Sequence, residues 1–479
     1  MKTIKKSFHA SPSQTIMAGF AFMILIGAFL LNLPVASQNG ESVGFINALF
    51  TATSANCVTG LVVVPTATQW SLFGKIVILI LIQLGGLGFM TVITLAMLFV
   101  RRKISLRSRK AIQASFNQDD IGGMIRLVKK VFKITLLFEL IGAIFLAAFF
   151  YFQGMNHAGT DIPGISGLQD MTVFKALWLG LFHSVSAFCN AGFDIIGDSS
   201  IVPFQSGIFL NIVLMILIVS GGLGFTVWEE LLLLIRNPRR HALRIRLRRL
   251  SLHTKIVLIM TISLILIGWG MFLLFESSNP ETLALMNHRD KGLAALFQSV
   301  TLRTAGFNSI PQENLTEMSK FVSSMLMLVG GSPVSTAGGM KTVSMGVILL
   351  SMYALLRNRS KIEALGRTLP LDVLQKALTV AATMSIVVFA SVVLLYFTEG
   401  GRTGASSLID LVYETCSAAG TVGVTVGVTS RLSVAGKIVI MICMYLGRLS
   451  PVTVMVALNR KINISKDAIS MPEERVIIG

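Results

Sequence analysis

Four short stretches of this 479-residue chain carry matching residue types at matching places: Cys57-Val58-Thr59-Gly60, Cys189-Asn190-Ala191-Gly192, Arg303-Thr304-Ala305-Gly306 and Gly420-Thr421-Val422-Gly423. Each follows a short apolar segment, and each last glycine is followed by an apolar residue, Leu61, Phe193, Phe307 or Val424. The four glycines are 132, 114 and 117 residues apart. Lacking a Cβ, glycine reaches positive φ and lets backbones meet closely. Four such turns about one axis would aim carbonyl oxygens at a common centre, and a ring of carbonyls replaces the water shell of a cation such as potassium. One glycine of this kind would be read as small-residue helix packing. Four in register, each behind a short apolar segment, are read as a ring. The hydroxyls of Thr59 and Thr421 are candidates to add to such a site, or to bond locally.

A second set of residues follows each turn. Gly85-Gly86-Leu87-Gly88-Phe89 begins 25 residues after Gly60, and Gly221-Gly222-Leu223-Gly224-Phe225 begins 29 after Gly192. The third place reads Gly330-Gly331-Ser332-Pro333-Val334-Ser335-Thr336-Ala337-Gly338-Gly339-Met340-Lys341, and the fourth Gly447-Arg448-Leu449-Ser450-Pro451. Two glycine pairs and a proline break a helix. Unwound backbone at membrane depth survives only where protein covers it or it lines a wet cavity. The 330–341 stretch is therefore expected to be a loop beneath the ring, in the permeation path and placed to gate it; the plain alternative is a static kink. Arg448 is expected to hydrogen-bond carbonyls or hydroxyls of that loop and to oppose cations while it is closed, the alternative being a salt bridge to Glu229 or Glu139. Lys341 would do similar work or reach to the cytoplasm. A guanidinium at the axis would repel cations, so Arg303 is expected to point behind the ring. There it would pair with Glu414 or, second, Asp410, because a lone membrane charge costs about 2.5–3.5 kcal/mol on the mildest scale. Asp194 and Asp198 would concentrate cations at the mouth, or be ordinary loop acids.

The elements that must hold these residues are membrane elements. The chain is 53% hydrophobic and 13% charged, against about 25% charged in average soluble domains. Each repeat reads as a long apolar span, a shorter segment, the glycine turn and a second span. The first spans fall near 14–34, 127–152, 253–275 and 374–397, and the short segments near 44–56, 173–188, 291–302 and 406–419. The second spans fall near 71–100, 204–235, 319–356 and 433–459. The short segments are too short to cross a bilayer and are expected to be re-entrant. The fold class that follows is an all-α polytopic membrane protein with eight crossings. Four pseudo-repeats of helix, re-entrant pore helix, filter turn and helix surround a central pore, all in one sense, unlike inverted-repeat transporters. Expected boundaries are 1–110, 111–250, 251–365 with the 330–341 loop, and 366–465, then a cytoplasmic tail, 466–479. The apolar run 15–33, with Lys2, Lys5 and Lys6 before it and Val35-Ala36-Ser37 after it, has the outline of a signal peptide. Its length suffices to cross the hydrocarbon core, and it fills the first position of the repeat, so it is read as the first span.

The formal charge of +18 comes from 41 Lys and Arg against 23 acids. With the N-terminus inside, 30 of the 41 fall on the inner side, in the N-terminal segment, the loops 101–133, 236–255 and 357–376, and the tail. The positive-inside rule then puts both termini in the cytoplasm and the glycine turns toward the outside. This placement argues against a nucleic-acid partner. The basic run 241–250 (HALRIRLRRL) would dock an anionic partner or lipid, or be topogenic charge alone. Cys57, Cys189 and Cys443 are read as small buried hydrophobes, and no Cys/His cluster has zinc spacing. No Walker loop, phosphorylatable-Asp cassette or metal motif points to an enzyme or an organic cofactor.

The chain resembles the ion-conducting subunit of the Trk/Ktr/HKT potassium transporters, most closely the Ktr type. The resemblance spans nearly the whole chain. It is carried by Cys57-Val-Thr-Gly60-Leu61, Gln83-Leu-Gly-Gly-Leu-Gly-Phe89, Arg303-Thr-Ala-Gly306-Phe307, the 330–341 segment, Gly447-Arg448 and the ending Pro472-Glu-Glu-Arg-Val-Ile-Ile-Gly479. No extra N-terminal helix pair of the Trk kind is expected. The resemblance implies that the four glycines are filter glycines, which favours potassium, and that Arg448 contacts a gating loop at 330–341. It also implies a homodimer in the bacterial inner membrane, a cytosolic ring of nucleotide-binding RCK-type subunits on the basic inner face, and sodium as a coupling or gating ion. Val334 stands where the family's loop usually has another small glycine, Val343-Ser344 replaces part of a threonine run, and Ser450 replaces a glycine. Competing readings are a Trk-type subunit, a less selective sodium/potassium pathway, a secondary transporter of another solute, and a structural anchor. Parallel repeats and the scarcity of acids within spans disfavour proton coupling, and glycine-broken spans disfavour the anchor.

Overall fold

The computed structural model describes residues 12–88, 91, 124–156, 171–197, 199–236, 249–359, 361–400, 407–449 and 453–454. Most of the basic runs at 101–123 and 237–248, Asp198, Ser450-Pro451 and the tail lie outside these residues. The first repeat is built from α1 (Pro12–Leu31), α2 (Phe45–Asn56) and α3 (Leu72–Leu87). The second contains α4 (Met124–Asn156), α5 (Val173–Phe188), α6 (Ile208–Gly222) and α7 (Phe225–Arg236). The third contains α8 (Leu252–Glu276), α9 (His288–Thr301), α10 (Glu317–Leu328) and α11 (Thr342–Leu356). A small hairpin, β1 (Ile362–Ala364) and β2 (Arg367–Leu369), pairs antiparallel with Ile362 opposite Leu369. It leads to α12 (Leu371–Glu399), α13 (Leu408–Gly420) and α14 (Val434–Leu449).

The described part of α1 and the helices α4, α8 and α12 are each long and apolar enough to cross a membrane. Their outward faces expose Phe22, Ile144, Ile267 and Phe389, as helices set in a bilayer do. The 33 residues of α4 span about 50 Å at 1.5 Å per residue, more than the ~30 Å hydrocarbon core. Its first turns, with Arg126, Lys129, Lys130 and Lys133, can therefore stand beyond it. Each long helix packs on the short helix that follows it. Small residues allow the approach: a Cβ on Gly180 of α5 would lie 2.5 Å from the Ala143 carbonyl oxygen of α4.

Polar caps fix where the broken elements start. Ser71, Thr172, Ser251, Thr316 and Ser407 each accept an amide hydrogen bond at a helix N-terminus, which satisfies donors the helix cannot. Two long helices end on a buried acid that holds the start of their repeat's last part. Glu276 accepts from the Thr316 amide (3.0 Å) and hydroxyl (2.8 Å) and the Thr282 hydroxyl (2.7 Å). Glu399 accepts from the Ser433 hydroxyl at 2.5 Å.

The second spans of repeats two and three are not single helices. α6 and α7 meet at a bend of 105°, and α3 stops at Leu87. Both breaks coincide with the third glycine of Gly-Gly-Leu-Gly: Gly88 has φ +81° and Gly224 φ +91°. A right-handed helix does not pass through such a residue. The second span expected near 204–235 is therefore two helices, and the described helix of the span expected near 71–100 ends at Leu87. In the third repeat, residues 329–341 run unwound between α10 and α11, as the glycine pairs and Pro333 imply.

Candidate functional site

The four glycine turns close on one another. A Cβ on Gly60 would lie 2.5 Å from the Ala191 carbonyl oxygen, one on Gly192 2.6 Å from that of Ala305, and one on Gly306 2.8 Å from that of Val422. One on Gly423 would strike the Thr59 carbonyl and complete the circuit. The repeats therefore neighbour one another in chain order, one to two to three to four and back. The carbonyl before each glycine lies beside the glycine of an adjoining turn. All four have positive φ, +96°, +70°, +84° and +94°. Any side chain there would be strained and would meet backbone.

The residues two places earlier are also left-handed: Val58, Asn190, Thr304 and Thr421, with φ between +53° and +69°. Bulky residues rarely adopt this region, and four in register are held by their surroundings. Amides are tied back to the short helices, by Thr59 to the Ser54 carbonyl (2.8 Å), Ala191 to Ser186 (2.7 Å) and Val422 to Ser417 (2.8 Å). The third turn differs, Ala305 donating to Thr301 at 2.9 Å. The Ser54 and Ser417 hydroxyls accept from the Gly60 and Gly423 amides, each at 3.1 Å. Among the described residues no hydrogen bond reaches the carbonyls of Thr59, Ala191, Ala305 and Val422. Leu61, Phe193, Phe307 and Val424 are buried and anchor each chain as it leaves. The short helices end beside the ring, so their C-terminal partial negative charges favour a cation there. The Thr59 and Thr421 hydroxyls are buried without a hydrogen-bond partner in the protein.

The second glycine set seats the first. A Cβ on Gly85 would strike the Asn56 carbonyl, on Gly221 that of Phe188, and on Gly447 that of Ala419. These are corresponding positions of α2, α5 and α13. Each glycine also touches the left-handed residue of its own turn, Val58, Asn190 or Thr421. In the third repeat Gly330 touches Thr304, but its other neighbour is the Gly338 carbonyl. The loop has taken the place of the short helix's end.

That loop is bonded on every side. The Gly330 amide donates to Met340 (2.8 Å), Ser332 to Gly222 (2.9 Å) and Thr336 to Gly221 (3.3 Å), while the Phe225 amide donates to Val334 (2.8 Å). The bend at Gly224 thus supplies the groups that receive the loop. Gly338 and Gly339 lie against Thr421 and Gly420, directly beneath the fourth turn. Arg448 Nη1 donates to the Thr336 carbonyl, and Nη2 to the Gly85 and Gly86 carbonyls, the latter at 3.3 Å. It joins the loop of repeat three to repeat one. The sequence pointed to the loop contact but not to Gly85 and Gly86. Lys341 Nζ donates to Ala337 (2.7 Å) within the loop.

Other expected pairings differ. Glu414 accepts from the hydroxyls of Thr425 (2.8 Å) and Thr429 and from the Thr429 amide (3.1 Å). Asp410 pairs with Lys320 at 2.9 Å. Neither binds Arg303, which is buried with Nε and Nη1 unpartnered. The acids are occupied by groups closer along the chain. Glu229 pairs with Lys130 and Glu139 accepts from Gln83 at 3.1 Å, so neither meets Arg448. Hydrogen bonds from Lys320 and Ser407 hold the Asp410 carboxyl below the usual carboxylate range, against burial, which acts the other way and is the largest single influence. Asp194 is half-buried. All four cysteines are buried thiols.

Comparison with known proteins gives a consistent result. The family described as TrkH, cation transport protein, matches residues 5–470. The potassium/sodium uptake protein NtpJ of Enterococcus hirae is 37% identical over 479 residues, covering 100% of this chain and 99% of that one. The Ktr system potassium uptake protein B of Bacillus subtilis is 38% identical, covering 92% of each. The crystal structure of the potassium transporter TrkH from Vibrio parahaemolyticus matches with a TM-score of 0.68 and 17% identity, over 96% of this chain and 87% of that one.

Proposed function

From the premise that this chain belongs to the TrkH family of cation transport proteins, we propose that it takes up potassium through the four-turn ring, with the 329–341 loop as its gate. The observation that carries this reading is the closed circuit of carbonyls from Thr59, Ala191, Ala305 and Val422, each against an adjoining turn's glycine. A cation losing its water there exchanges hydration oxygens for carbonyls already oriented by amides bonded behind them. The unpartnered hydroxyl of Thr59 adds a ligand at the ring, while that of Thr421 faces Gly338 of the loop beneath it. Membrane potential drives entry, at about 2.3 kcal/mol per charge per 100 mV. Passage further inward requires the loop to leave Thr421, Gly221 and Arg448. While the loop is in place, the Arg448 guanidinium also stands as a positive charge beneath the ring.

The pseudo-repeats divide near 110, 250 and 365, and the protein lies in a bacterial inner membrane with both termini inside. It works as a homodimer with a cytosolic ring of RCK-type nucleotide-binding subunits on its basic face. Support for an assembly comes from relatives named as parts of Ktr systems. A second reading, a pathway shared by sodium, is favoured by the relative named for both ions. The test is rescue of a potassium-uptake-deficient bacterium on low potassium. Wild-type protein restores growth and Gly306→Ser restores it poorly. No rescue, or rescue indifferent to Gly306→Ser, overturns the proposal.

A further inference from the structure

One amide spans from the loop to the ring. Asn190 is buried and left-handed, with φ +59°. Its Nδ2 donates to the Arg303 carbonyl at 3.2 Å and lies 3.4 Å from Thr304 Oγ1, both in the third turn. Its Oδ1 faces the loop, 3.2 Å from Thr336 Oγ1. That hydroxyl is also 3.0 Å from the Phe188 carbonyl and has one proton to share between two acceptors. The cradle is tight: a Cβ on Gly221 would lie 2.7 Å from Asn190 Oδ1 and 2.8 Å from Thr336 Oγ1. At the corresponding places Val58 has no polar group, and the Thr421 hydroxyl has no partner. Among the described residues, the second turn alone carries one side chain hydrogen-bonded to both the loop and a neighbouring turn.

We propose that Asn190 is a positioning residue through which the loop sets the ion preference of the ring, on the reading that the ring selects and the loop gates. The amide's polarity makes the coupling directional. Turned around, Oδ1 would face the Arg303 carbonyl, acceptor to acceptor, so the donor end belongs to the third turn and the acceptor end to the loop. When Thr336 withdraws, Oδ1 loses its hydroxyl donor in a buried place. The amide is then free to rotate toward water, and the Arg303 carbonyl loses Nδ2. Arg303 is two residues before Ala305, whose carbonyl abuts Gly192. Loop withdrawal therefore loosens the third carbonyl of the ring. By reciprocity, an ion seated well in the ring holds the loop in place.

The experiment is a double-mutant cycle on the purified full-length protein, reading the ratio of potassium to sodium binding affinity by isothermal titration, where the loop is in place, and separately the maximal uptake rate in proteoliposomes under an imposed potential. Thr336→Val lowers the potassium-to-sodium ratio by about fivefold, the factor that one net hydrogen bond carries. Asn190→Leu lowers it equally, the double variant no further, and Thr336→Ser restores it. Ser335→Ala removes a bond within the loop (Oγ to the Ser332 carbonyl, 2.6 Å) without touching Asn190. It changes the maximal rate and leaves the ratio intact. If Asn190→Leu is not recovered folded, Asn190→Ser, too short to reach Thr336, takes its place. The proposal is overturned if the two single effects multiply in the double variant, or if Thr336→Val leaves the ratio unchanged. Gly306→Ser separates this failure from failure of the underlying reading. A wild-type ratio in Gly306→Ser removes the ring as selector. A lowered ratio there, with an additive cycle, removes only the role of Asn190.

Discussion

Replacing Arg448 by alanine deletes three hydrogen bonds, but only one of them holds the loop. The bonds to Gly85 and Gly86 join α14 to α3 wherever the loop lies, whereas the bond to the Thr336 carbonyl exists only while it is in place. A hydrogen bond from a charged donor contributes about 1.5–3 kcal/mol, and about 1.4 kcal/mol is tenfold in an equilibrium. Loss of the Thr336 bond alone therefore shifts the loop toward withdrawal by roughly tenfold to a hundredfold. The rise in flux is smaller than this, since it saturates once the withdrawn loop predominates. Rubidium uptake into proteoliposomes across a range of concentrations separates the two effects expected of ring and gate. Maximal rate rises severalfold, while the half-saturating concentration changes less, because Arg448 itself touches no ring carbonyl and reaches the ring only through the Thr336–Asn190 contact. Arg448→Gln, which keeps one amide donor, falls between wild type and alanine. A maximal rate that is unchanged or lower in folded Arg448→Ala protein would refute the reasoning, as would a change confined to half-saturation.

Three further perturbations test the surroundings. Gly192→Ala places a Cβ 2.6 Å from the Ala305 carbonyl oxygen at φ +70°. Left-handed backbone alone costs about 1–2 kcal/mol for a residue with a Cβ, so uptake falls at least tenfold, read by flux assay. The hydroxyls of Thr425 and Thr429 and the Thr429 amide converge on Glu414 Oε1, and the Thr425 hydroxyl also faces Oε2 at 3.0 Å; Glu414→Gln turns one of these acceptor oxygens into an N–H donor, which costs about 1–3 kcal/mol and lowers the melting temperature of the purified protein. Asp410, its carboxyl held below the usual range by Lys320 and Ser407, contributes stability that is present above the ordinary carboxylate range and lost as pH falls through its lowered value. Asp410→Asn therefore melts earlier than wild type at neutral pH, and the gap closes as pH falls below the ordinary carboxylate range.

Much of this arrangement was legible in the sequence because it rests on length and on glycine. Segments expected at 44–56, 173–188 and 406–419 are helices at Phe45–Asn56, Val173–Phe188 and Leu408–Gly420. Runs that short between turns have few alternatives in a membrane. The glycines at 60, 192, 306 and 423 meet in space because each carries positive φ, a conformation that residue type announces. The bend at Gly224 was hidden by apolar composition. A span that is hydrophobic throughout reads as continuous, although the third glycine of Gly-Gly-Leu-Gly could have marked the break. The Arg303–Glu414 pairing failed because charge complementarity ignores hydroxyls, and Thr425 and Thr429 stand within reach of the acid. The reach of Asn190 to Thr336, 146 residues away, has no periodic or compositional signature. Only the folded packing of Gly221 brings them together.

The most direct test of the central claim is the anomalous signal of rubidium soaked into crystals of the full-length protein. The account predicts a peak bounded by the carbonyl oxygens of Thr59, Ala191, Ala305 and Val422, reduced in Gly306→Ser. Ordered rubidium elsewhere in the membrane region, with none at those four carbonyls, would contradict it.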